Sequence, residues 1–161
     1  GVDQEIFQYV VVYDPTSGFV TGGGWIDSPT GAYILDPLLS GKATFGFVAK
    51  YQKGSTIPTG NTEFQFKIAD LNFKSISYQW LVIAGKKAMY KGTGSINGEG
   101  EYYFMLSCID GDLKGGDGID RFRIKIWDDD SEQVIYDNQL LADDDADPTT
   151  SLGGGSIVIH K

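Results

Sequence analysis

The chain has 161 residues, 41% of them hydrophobic and 13% aromatic, which excludes a disordered polymer and sets the scale of one domain over residues 1–161. Its formal charge of −9, from 13 basic and 22 acidic side chains, disfavours nucleic-acid binding, because a phosphate backbone needs cationic surface. A single cysteine, Cys108, leaves no internal disulfide, and no apolar run is long enough to insert into a membrane.

Taken in order, the chain reads as short strands separated by turns. Glu5–Tyr13 is rich in β-branched and aromatic residues and predicts a first strand. Asp14 to Gly18 is a turn, and Phe19–Ile26 is a second strand with Gly22, Gly23 and Gly24 at its centre. After a loop over Ser28–Ser40, strands follow at Lys42–Tyr51, Thr62–Ile68, Ser75–Ile83 and Lys86–Ile96. Asn97-Gly98 is a hairpin signal, and Glu101–Ile109 is its second arm. Arg121–Trp127 and Gln133–Tyr136 form the next pair, and Ser156–His160 closes the chain. The triplets Gly22–Gly24 and Gly153–Gly155 each precede an apolar run and suggest paired edges. About ten strands and no helix predict an all-β, two-sheet antiparallel β-sandwich, immunoglobulin-like or jelly-roll. Alternation places Phe45, Phe47, Phe64, Phe66, Trp80, Phe104, Phe122, Ile124 and Ile126 in its core.

The stretch from Cys108 to Trp127 carries the most chemistry. Asp110, Asp112, Asp117 and Asp120 share a turn with four glycines, and crowded carboxylates repel unless a cation neutralises them. Calcium suits them, since it accepts several oxygens in loose geometry. The spacing is not that of an EF-hand, because Lys114 and Arg121 occupy ligand positions. The alternative is a solvated Asp-Gly turn. A second acidic group runs from Asp128–Asp130 through Asp137 and Asn138 to Asp143–Asp147 and reads as a charged loop. Arg121, Arg123, Lys125 and Trp127 share one strand face. They suit an anionic sugar or polymer, with a ring stacked on Trp127, or else the cations pair with Glu63, Glu99 or Glu101 across strands. Trp25, beside the glycine triplet, and Tyr103, opposite in phase to Phe104, are further candidates for a carbohydrate surface.

Catalysis has little to stand on. The sole histidine, His160, lies next to the end of the sequence, and no carboxylate pair is singled out. Cys108 falls in a strand pattern and reads as a buried thiol. Gly92–Gly98 has no following helix, so it lacks the logic of a phosphate loop.

Several stretches together resemble a module of large secreted or surface-attached bacterial proteins, often found beside immunoglobulin-like and PKD-like domains. They are Gly18–Tyr33, Gly41–Tyr51, Thr62–Phe66, Leu71–Gly85, Tyr90–Gly98, Asp120–Asp128, Val134–Asn138 and Gly153–Lys161. The resemblance implies an extracellular, non-catalytic domain and carries no ligand or site residues with it. The expected function is a calcium-stabilised structural or adhesion module whose partner is a polysaccharide or a neighbouring domain of the same chain. A carbohydrate-binding module of a polysaccharide-active enzyme is the alternative, and a small hydrolase stands third.

Overall fold

The structure is a computed structural model and describes residues 18–161. The strand expected at Glu5–Tyr13 lies outside the described residues. Nine strands follow: β1 (Phe19–Ser28), β2 (Gly41–Tyr51), β3 (Pro58–Phe66), β4 (Leu71–Ala84), β5 (Lys87–Ile96), β6 (Glu99–Ile109), β7 (Arg121–Asp128), β8 (Val134–Asp137) and β9 (Gly154–His160). One 3-10 turn, Lys67–Ala69, links β3 to β4.

All nine strands belong to one antiparallel sheet in the order β8-β7-β6-β5-β4-β3-β2-β1-β9. The expectation of two sheets is therefore corrected to one continuous ladder, whose two halves face each other across the core. Phe45 on β2 stacks on Phe122 of β7 with ring centres 4.1 Å apart, and Phe64 on β3 meets Tyr136 of β8 at 4.7 Å. A meander can bury one face this way because tight turns such as Asn97-Gly98, both at positive φ, keep successive strands adjacent.

The two margins of the sheet come together. Just before β9, Ser151 bridges to Arg121, and the Phe122 N–H donates to the Thr150 carbonyl at 2.9 Å. The margin of β8 is covered by the loop after β1. There the Ile34 N–H donates to the Ile135 carbonyl and the Asp137 N–H donates to the Ala32 carbonyl, each at 3.0 Å. The glycine triplets do lie along one pairing, with Gly24 opposite Gly155.

Of the nine residues assigned to the core, eight are buried. Trp80 is the exception and is only half-buried, on the outer face. The cause is two bulges in β4. Ile76 and Gln79 have no partners in the register with β5, and each extra residue reverses the in-out phase. Tyr78 and Leu81 point inward in consequence, while Ile76 is 63% exposed. Gly92 and Gly94 on β5 face the distortion. A Cβ at either would meet the Ser77 or Lys74 carbonyl oxygen at 2.1 or 2.4 Å, so the bulged backbone has room only over glycine.

Candidate functional site

The four aspartates of the β6–β7 turn do different things. Each oxygen of Asp110 and Asp120 accepts a backbone N–H. Asp110 takes Asp112 at 3.1 Å and Ile159 at 2.9 Å, and Asp120 takes Gly111 at 2.8 Å and Ile157 at 2.7 Å. Ile157 and Ile159 lie on β9, so these two carboxylates satisfy the margin of the sheet that no other described strand pairs. Asp117 forms a two-pronged ion pair with Arg121, both contacts at 3.0 Å, and accepts the Ile119 N–H. The Arg121 guanidinium and then the Ile119 amide hold its carboxyl down at about 2, against an ordinary 3.8. Asp112 is exposed. The Arg121 guanidinium and the Lys86 ammonium, which donates to the Gly115 carbonyl at 2.7 Å, both meet this turn.

The second acidic group folds back onto β7. Arg123, expected on a ligand-binding face, is 2% exposed and belongs to a closed cluster instead. Its guanidinium grips Asp137 through two contacts at 2.9 and 3.0 Å and donates to the Asp143 and Ala142 carbonyls. Lys125 pairs with Asp144 at 2.8 Å, and Lys87 with Asp147 at 3.0 Å. Internal pairing of this basic face is thus seen, with partners in the loop rather than Glu63, Glu99 or Glu101. Asn138 completes the joint. Its side-chain oxygen accepts the Ile124 N–H, and its amide donates to the Phe122 carbonyl and the Thr150 hydroxyl. One side chain thereby fills a gap in the ladder between β8 and the segment before β9.

The three candidate aromatics separate. Trp25 is already engaged by its neighbours on the sheet. A Cβ on Gly153 or Gly154 would sit 2.2 or 2.5 Å from its ring atoms, so the chain entering β9 is laid against the indole. The Lys42 ammonium is 4.7 Å from the ring centre. Tyr103 and Trp127, by contrast, are brought together. They are cross-strand partners on β6 and β7, half-buried on the outer face, with centres 5.7 Å apart and planes 30° apart. The Lys91 ammonium lies 5.2 Å from the Tyr103 ring and 5.5 Å from Trp127, and that of Lys125 lies 5.3 Å from Trp127. Burial, followed by the Asp129 and Glu101 carboxylates, raises the Tyr103 phenol above its ordinary 10.0. A hydrogen bond with the Asp129 carboxylate acts in the same direction, so the phenol is engaged by that neighbour.

Lys91 was not singled out from the sequence. It enters the cluster through the register of β5 on β6, which sets Lys91 opposite Met105, with Lys125 beyond Met105 in the same row.

His160 and Cys108 have structural surroundings. The imidazole stacks on Phe19 with centres 4.2 Å apart and shares a 3.0 Å hydrogen bond with the Thr21 hydroxyl. The Cys108 thiol is fully buried, and burial pushes it well above its ordinary 9.0. Among the described residues no helix is long and apolar enough to cross a membrane. Comparison of the chain with protein-family models, curated proteins and solved structures finds no match in any of the three.

Proposed function

We propose that this chain is a non-catalytic adhesion module of a secreted or surface-attached bacterial protein, and that it holds an acidic polysaccharide on the Tyr103–Trp127 pair. The observation that carries the reading is the joining of two outward rings with two ammonium groups across three neighbouring strands. A pyranose face is apolar and stacks on an aromatic ring, and an ammonium beside the ring can meet a uronate carboxylate. The lysines now lie near the ring faces, where an exposed cation–π contact stabilises by only about 0.5–1 kcal/mol. Lys125 is also held by Asp144 at 2.8 Å, and an acidic sugar would compete with that carboxylate for the ammonium. The structural surroundings of His160 and Cys108 support a binding role over a hydrolytic one.

The test is calorimetric titration with oligogalacturonate and alginate fragments. The Tyr103→Ala and Trp127→Ala variants should lose binding, and binding by the parent should weaken as salt is raised. Full binding by the double variant would overturn the assignment.

A calcium-stabilised structural module is the second reading. The observation in its favour is that Asp112 and Asp117 lie exposed on the same turn as the two carboxylates that cap β9. An ion there would share their outward lone pairs. Since it would bind the folded turn better than the unfolded chain, stability would rise by about 2.7 kcal/mol at 100 times the dissociation constant. Melts in EDTA and in millimolar calcium should then differ, and the Asp112→Asn/Asp117→Asn variant should lose the difference. Superimposable melts of the parent would end this reading.

A further inference from the structure

A groove of about 540 Å³ crosses the outer face of β2, β3 and β4, away from the Tyr103–Trp127 pair. Its side chains are Thr44, Asn61, Glu63, Gln65, Lys74 and Ser75, and Gly46 forms its floor. The register explains the opening. Gly46 stands opposite Glu63, and Glu63 opposite Lys74, where the β3–β4 ladder ends. Beyond that point the Thr62 N–H donates to the Ser75 hydroxyl at 2.9 Å, so a side chain stands in for the ladder and the strands part.

Gly46 has no reason to be glycine in the folded chain itself. It does not adopt positive φ, and a Cβ there would meet nothing within 4 Å. Its partner on β1, Gly23, would bring a Cβ only to within 3.9 Å of the Phe45 carbonyl oxygen. Glycine inside a strand costs roughly 0.5–1 kcal/mol against alanine. Its one visible consequence here is a bare floor beneath converging polar groups.

Those groups specify a chemistry. Glu63 and Lys74 balance in charge, and Thr44, Asn61 and Gln65 are a neutral hydroxyl and amides that both donate and accept, while the Ser75 hydroxyl is taken up by the Thr62 N–H and the Tyr78 hydroxyl. The Gln65 amide donates to Glu63 at 2.8 Å and fixes the carboxylate's direction. Trp25 stands in the row next to Gly46, opposite Thr44, but is engaged by Gly153, Gly154 and Lys42. Recognition would therefore act on hydroxyl edges rather than through ring stacking. The volume falls in the usual range for small-ligand clefts, about 300–1,000 Å³.

We infer that this groove is a second carbohydrate subsite, selective for an uncharged, hydroxyl-rich glycan chain and independent of the Tyr103–Trp127 pair. Calorimetric titration of the protein with cellohexaose, mannohexaose and chitohexaose tests it. At least one of these should bind, with little dependence on salt. Gly46→Val fills open space with a residue that favours strands. It should leave the melting temperature unchanged or higher and weaken binding by about tenfold or more. Glu63→Gln should weaken binding while the melt is kept. The Tyr103→Ala/Trp127→Ala variant should bind the neutral probe as the parent does, whatever becomes of its binding to acidic glycans. Failure of all three probes, or Gly46→Val binding as tightly as the parent, would overturn the inference. Loss of neutral binding in the aromatic double variant would show one shared site and overturn its independence.

Discussion

Asp117 and Arg121 show how a single exposed pair can be read in solution. The depressed carboxyl of Asp117 stabilises the folded chain above the ordinary carboxylate range, and that contribution fades as pH falls from about 4 towards 2. A carbon-13 titration of the Asp117 carboxyl should give a midpoint near 2, and Arg121→Gln should move it up towards 3.8. A midpoint that stays low in the variant would assign the effect to the turn's amides instead. In the core, Phe122 on β7 is fully buried and touches three rings of the opposite half of the sheet, Phe45 and Phe47 on β2 and Phe64 on β3. Truncating it to alanine should cost about 3–5 kcal/mol in a urea titration. A midpoint that hardly moves would mean the two halves do not pack through this ring. Phe122 was legible from the alternation of β7, because β7 runs its core-facing side without interruption. Trp80 was not, because a bulge leaves no mark in the hydrophobicity of the bulged strand itself. The mark is on the neighbour, in Gly92 and Gly94.

The acidic loop after β8 is held by a buried arginine. Arg123 and Asp137 have side-chain exposures of 2% and 3%, so removing one strands the other. Arg123→Met should destabilise by about 3–5 kcal/mol, the range for an uncompensated buried charge. It should also make the 139–147 segment sensitive to proteases under native conditions. Unchanged protease resistance would show that Asn138 and Gln139 anchor the loop without help. Gln139 does hold the far side, donating to the Asp147 carbonyl and accepting from Thr149. From the sequence this stretch shows only as a run of negative charge after a basic strand. Each half is visible, but the return of one onto the other depends on where β8 stops. Tyr103 and Trp127 were each found by strand phase, and their pairing needed the register of β6 on β7.

For the molecule as a whole, closure depends on two carboxylates where hydrogen bonds between strands would otherwise be expected. Asn in place of Asp110 or Asp120 keeps one acceptor and turns an amide towards a backbone donor. Each change should cost about 1–3 kcal/mol and raise the hydrogen-exchange rates of Ile157 and Ile159 above the rest of the core. Exchange unchanged at both amides would show that β1 alone holds β9. The all-β class and the meander could be read from the strands and their turns. The rolling of one sheet could not, since its closure rests on side chains in a turn that resembles a metal loop. Phe19 and His160 form the outermost pair of β1 and β9, so the start of β1 and the end of β9 lie side by side. A pull applied at those two points would part the antiparallel pair one rung at a time, like a zipper, instead of shearing all its rungs together. Such a geometry yields at low force.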